Sequence, residues 1–192
     1  MRNAKLGFAV VLVICCSVFA SGQMQSSAPA KSTGEALNKT LSIAEGEFTS
    51  AADAMPEDKF SFAPTGSGDF KGVRTFAQQV KHVAAVNYVF GSSILEEKPP
   101  VDTGGESGPD AIKSKAEIMK FLSDSFAYLH KAMASVTEKN QLDQVSLFGE
   151  MKMARLSVGA FAVAHPMDHY GQMVEYLRMN SIIPPASRPQ NK

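Results

Sequence analysis

Thiols are nearly missing from this sequence. The only cysteines are Cys15 and Cys16, and both fall in a stretch that reads as an export signal, so the mature chain has neither a disulfide framework nor a cysteine nucleophile. An excess of either charge is missing too, since nineteen Lys and Arg face nineteen Asp and Glu. Cleaving the signal removes Arg2 and Lys5 and leaves a balance near minus two. Nothing in that balance suggests a nucleic-acid partner, which would ask for a concentrated basic face. Nor is there an apolar run long enough for a bilayer. The longest, Leu6 to Phe19, has about fourteen residues, against roughly twenty for a spanning helix, so no membrane segment is expected after signal cleavage.

What is present at the start has the anatomy of a signal peptide over residues 1–20: a short basic end, the apolar run, and Val18-Phe19-Ala20 before a cut near Ser21. A lipoprotein box at Leu12-Val13-Ile14-Cys15, with lipid on Cys15, competes with it. It asks for a small residue where Ile14 stands. Residues 21–34 are rich in Ser, Ala, Gln and Pro without periodicity and read as a flexible leader. The mature protein is expected outside the cytoplasm, periplasmic or secreted.

Residues 35–181 read as one all-α domain, a four-helix bundle. Leu37, Leu41, Ala44, Phe48, Ala51 and Met55 recur at three- and four-residue spacing and predict a first helix ending before Pro56. Residues 56–72 form a loop whose Phe60, Phe62 and Phe70 should tuck against the bundle. Phe76, Val80, Val83, Asn87, Phe90 and Ile94 mark a second helix. The stretch Glu96 to Asp110 carries three prolines and three glycines. Its length predicts a long crossover, so that helices two and three need not be antiparallel neighbours. Ser114 and Glu117 fit a capping box at the start of a third helix, with Ile118, Leu122, Phe126, Leu129, Met133 and Val136 on one face. After a polar turn near 139–143, Met153, Leu156, Ala160, Val163, Met167, Tyr170, Val174 and Leu177 predict a fourth helix whose main stripe they form. No segment alternates apolar and polar residues long enough to demand a strand. Residues 182–192 are a Pro-rich tail.

Chemistry gathers at histidine. His165 and His169 stand four apart, so on a helix both imidazoles leave the same face and can reach one ion. That face, shared with Val158, Ala162, Met173 and Tyr176, is a second apolar face of helix four, so the pair should meet protein. His82, at the edge of the helix-two stripe, is the natural third ligand. The plain alternative makes each a core or surface histidine bonded to a backbone carbonyl. His130 has no partner at metal-binding spacing and reads as surface. Asp168 either orients an imidazole or faces solvent, the latter favoured. Three nitrogen ligands would leave a position for water or substrate, and protons should displace the ion as pH falls through the imidazole pKa near 6.5.

The stretch from His165-Pro166-Met167-Asp168-His169-Tyr170-Gly171-Gln172 to Arg178, followed by Met179-Asn180 and Pro184-Pro185, resembles the last-helix signature of DinB-like proteins. His82-Val83 with Asn87 and Phe90 is similar to the histidine-bearing second helix of that family, and the likeness spans Leu37 to Ser187. The resemblance implies a bundle with a long crossover between helices two and three, and a site for zinc, nickel or a similar ion on His82, His165 and His169. Two features depart from it: Pro166 follows His165 inside the helix and should bend it, and Asn180-Ser181 stands where glycine would more comfortably end it. Some relatives are thiol-dependent transferases or isomerases. An exported protein would meet few reduced small thiols, so a metal-dependent hydrolase or transferase of unspecified small-molecule substrate is the first expectation, with catalytic residues beyond the histidines unassigned. A non-catalytic metal-dependent binding or stress-response module is the alternative, and a homodimer is compatible with either.

Overall fold

The computed structural model describes residues 28–65 and 72–189. The presumed signal, most of the leader, Phe70 and the last residues of the tail lie outside them. The elements are α1 (Thr33–Ala54), α2 (Phe76–Leu95), α3 (Lys115–Ala134), β1 (Gln144–Leu147), β2 (Met151–Ala154) and α4 (Arg155–Met179). Four helices dominate, as the periodicity predicts.

The first three helices begin on hydroxyl caps. Ser32 Oγ accepts from the Glu35 amide at 3.1 Å, and Ser114 with Glu117 forms the expected capping box. A second box, Thr75 with Gln78, starts α2. Both satisfy amides that the first turn leaves without helical partners. The far end of α4 closes differently from expectation. Ser181 takes a left-handed φ of 60°, and amides 181 and 182 donate back to the carbonyls of Arg178 and Leu177, each at 2.9 Å. This is the glycine-type ending made by a serine.

Side-chain pairs give the helix directions. His130 on α3 meets Asn38 and Glu45 of α1, while Lys115 at the start of α3 meets Asp53 near the end of α1, so these two are antiparallel. Gln79 meets His169 and Phe90 meets Phe161, which makes α2 and α4 antiparallel. Along α2 and α3 the pairs advance together, Tyr88 with Phe121, Ser92 with Tyr128, and then Glu97 with Lys131. The two helices are thus parallel, and the connection from Glu96 to Ser114 must return along the bundle. They are nevertheless neighbours and share the most extensive helix–helix contact of the fold.

The expected stripes of α1 to α3 are the buried ones, from Leu41 and Phe48 through Val83 and Phe90 to Leu122 and Phe126, all fully buried. Phe60 and Phe62 tuck in as expected, against Phe76 and Tyr176. Helix four requires correction. Ala160 and Met167 of its supposed main stripe are exposed, whereas Val158, Ala162, His169, Met173 and Tyr176 are buried. The reason is placement: α4 packs between α1 and α2, so the histidine face points to the bundle axis. Leu156, Ala160 and Val163 instead line an open apolar groove of about 310 Å³ beside α1. The expected absence of strands also fails, since β1 and β2 pair antiparallel with Leu147 opposite Met151. Alternation spans only Val145-Ser146-Leu147, whose two apolar members are buried, too short to register as a pattern.

Candidate metal centre

The centre forms where α2 and α4 cross with the returning connection. His82, about three and a half turns before the end of α2, is 6% exposed, and His169 is 7% exposed. His165 lies one turn earlier on α4 and is partly buried. The helix is continuous through Pro166, so both α4 histidines keep helical spacing and project toward His82. All three sequence-assigned residues are therefore brought together, with one potential ligand atom from each within 4.8 Å of the others. Among the described residues no carboxylate or cysteine joins this group.

Two of the rings are oriented by hydrogen bonds through Nδ1. His82 Nδ1 is 2.6 Å from the carbonyl oxygen of Glu106, which can only accept, so Nδ1 carries the hydrogen and Nε2 the lone pair. His169 Nδ1 is 2.6 Å from Gln79 Oε1. His165 presents Nε2 to His82 Nε2 at 3.2 Å, and its Nδ1 is buried with no partner among the described residues. Two nitrogens on one tetrahedral ion with bonds of 2.0 to 2.1 Å would stand about 3.3 to 3.4 Å apart. The pair at 3.2 Å matches that separation, and an all-imidazole donor set suits zinc, nickel and related ions.

Electrostatics keep the donors bare. Burial pushes the His165 pKa down to about 3, helped by the neighbouring charges of His169, His82 and Arg74. Burial also takes His169 down to about 4, helped by His82 and opposed by Asp168. His82 is lowered for the same primary reason, against the opposing pull of the Glu106 carbonyl. Lowered pKa values leave the donor nitrogens unprotonated to a lower pH than a free imidazole, so the competition by protons expected from the sequence is displaced toward acid.

The remaining assignments divide. His130 is not a free surface residue. Its ring bridges α3 to α1, with Nδ1 at 2.6 Å from Asn38 Oδ1 and Nε2 at 2.8 Å from Glu45 Oε2. Asp168 is exposed, as favoured, and its carboxylate accepts from Gln172 at 3.2 Å. Gln79, the Glu106 carbonyl and Arg74 went unassigned. Gln79 alone left a trace in the sequence, as an amide three residues before His82 on the same helical face. Beside the centre, Arg74, Lys81, Ser107 and Asp110 line a polar cavity of about 360 Å³.

The sequence profile of the DinB superfamily matches residues 40–173. Among solved structures, a DinB-like protein from Bacillus cereus ATCC 10987 superposes with a TM-score of 0.59 at 18% identity, covering 79% of this chain and 95% of that one. A DinB-like protein from Bacillus subtilis gives a TM-score of 0.59 at 16% identity, covering 76% and 92%. No curated protein matches the chain. At these identities the structural likeness concerns the fold, and the histidine centre rests on this chain's own geometry.

Proposed function

The chain belongs to the DinB superfamily, and on that premise we propose that it is an exported metalloprotein whose His82, His165 and His169 hold one divalent ion, zinc or nickel, for hydrolase or transferase chemistry on a small molecule. The observation behind this reading is the convergence of three imidazoles that burial holds neutral. Three protein nitrogens would leave coordination positions open, and a bound ion would supply Lewis-acid chemistry there, by polarising a substrate oxygen or acidifying water. The protein's part is to hold His82 through Glu106 and His169 through Gln79. Phe90, packed on the His165 ring at 5.7 Å, walls off one side. Arg74 and Lys81, on the polar cavity, would receive an anionic portion of the substrate.

A second reading, a binding module without turnover, is favoured by the lack, among the described residues, of any carboxylate in the histidine cluster itself that could serve as acid or base. Native mass spectrometry after reconstitution with zinc, and separately with nickel, should find about one ion per chain. Uptake of neither would remove the metal reading. Turnover on a panel of ester, amide and thiol-transfer substrates, abolished by a chelator, would then support the enzyme, and metal without turnover would support the module. Export predicts an N-terminus near Ser21 to Gln23 in protein recovered outside the cytoplasm. Intact Met1 there would contradict it, and lipid mass on Cys15 would make the chain a lipoprotein.

A further inference from the structure

We propose that Asp168, at the surface, sets the tautomer of His169 inside the bundle through a one-way chain of two side-chain amides, and so keeps that ring ready to ligate. The inference rests on the reading of His169 as a metal ligand. Asp168 and His169 are adjacent in sequence, yet the connection leaves α4, crosses to α2 and comes back. Gln172 Nε2 donates to Asp168 Oδ2 at 3.2 Å, Gln79 Nε2 donates to Gln172 Oε1 at 2.9 Å, and His169 Nδ1 donates to Gln79 Oε1 at 2.6 Å.

Chemistry fixes the direction. A carboxylate only accepts, so it takes the NH₂ end of Gln172. An amide that turns its donor one way turns its acceptor the other, so Gln172 offers oxygen to Gln79, and Gln79, buried with 2% exposure, offers oxygen to His169. Nδ1 must then carry the hydrogen, and Nε2, on the side of the other two imidazoles, keeps its lone pair. Run backwards, the same three contacts would put the Gln79 NH₂ on Nδ1, move the hydrogen to Nε2 and close one ligand position. His82 is held by a backbone carbonyl, which cannot reverse. His169 is held by an amide, which can. Asp168, Gln172 and Gln79 are thus positioning residues, and the outer, exposed end of the chain decides the state of the inner one.

The readout closest to the inference needs no metal. In metal-free protein near pH 7.5, ¹⁵N NMR of the histidine rings should find His169 as the Nδ1–H tautomer. Asp168→Asn, which can donate or accept, should give a mixture, and Asp168→Lys, which only donates, should give mainly Nε2–H. Zinc affinity, read by competition with a chromophoric chelator, should fall about two- to fivefold in Asp168→Asn, the scale of one exposed hydrogen bond. Loss of a nearby negative charge would also weaken zinc binding, so the same change is made in a Gln172→Glu background. Position 172 is exposed, so folding is not at issue, and a carboxylate there anchors the direction without Asp168. In that background only the charge effect should remain, so the cost of Asp168→Asn should be clearly smaller than in the parent. An equal cost in both backgrounds, or an unchanged His169 tautomer in both Asp168 variants, would overturn the relay. Zinc binding by the parent without the tautomer shift defeats the relay alone. The tautomer shift in a parent that takes up no zinc defeats the metal reading and leaves the relay standing.

Discussion

Three neutral imidazoles packed together have a consequence in acid. Burial holds His165 at about 3 and His169 at about 4 and lowers His82, whereas in the unfolded chain all three take up protons near 6.5. Below that pH the unfolded state binds more protons than the folded one, so stability falls as pH falls. The contribution is complete above about 6.5 and is lost progressively toward pH 4 and 3. The melting temperature of metal-free protein should decline across that window, and His165→Leu, which removes the most strongly shifted group, should flatten the decline; parallel curves for parent and variant would contradict the assignment. At this scale the triad was legible because His165 and His169 carry their geometry in their spacing and His82 lies at a stripe edge. Gln79 and the partners of His130 were not. Each acts on a residue more than eighty positions away, and such pairings exist only once the helices are docked.

Among the elements, α4 carries strain at one end and a long-range anchor at the other. Ser181 occupies the left-handed conformation that glycine adopts without steric penalty. Ser181→Gly should therefore stabilise the protein by roughly 0.5 to 1 kcal/mol in urea unfolding, and Ser181→Val should destabilise it by a comparable amount. At the start of α4, Arg155 is buried, donates to the Ile94 carbonyl at the end of α2 and pairs with Glu96 at 2.7 Å. Arg155→Met strands that carbonyl and should cost about 1 to 3 kcal/mol. Glu96 contributes little to the loss because its side chain is 61% exposed and can be hydrated. The sequence carried the helices and their ends well, through stripes, prolines and Ser114. It placed both rows of α4 against protein but took the less buried one for the main stripe, because both rows are apolar and the choice between them is made by α1 and α2 rather than by α4 itself. The hairpin stayed hidden for a similar reason, since Val145 and Leu147 are held by their neighbours more than by any pattern of their own.

Over the whole molecule, the parallel pairing of α2 and α3 explains the long connection. That connection does more than return the chain, because it places the Glu106 carbonyl on His82. Its length was visible in the sequence, but its contact with the centre was not. The centre therefore ties α2, α4 and the crossover at one point, while an extensive apolar core shared by all four helices packs without calling on the three histidines. Metal should act as a ligand of an already folded bundle. At a hundredfold excess over Kd an ion that binds only the folded state adds about 2.7 kcal/mol, or roughly 5 to 10 °C in Tm for a chain of this size. His169→Ala removes one of three ligands and should gain little on adding zinc or nickel. His130→Ala should keep the full gain but start from a lower baseline, because it cuts the bridge from α3 to Asn38 and Glu45 on α1. The comparison is thus between two increments, each measured against the same variant without metal by differential scanning calorimetry. Equal increments in the two variants would mean that the ion, wherever it binds, does not bind at the triad.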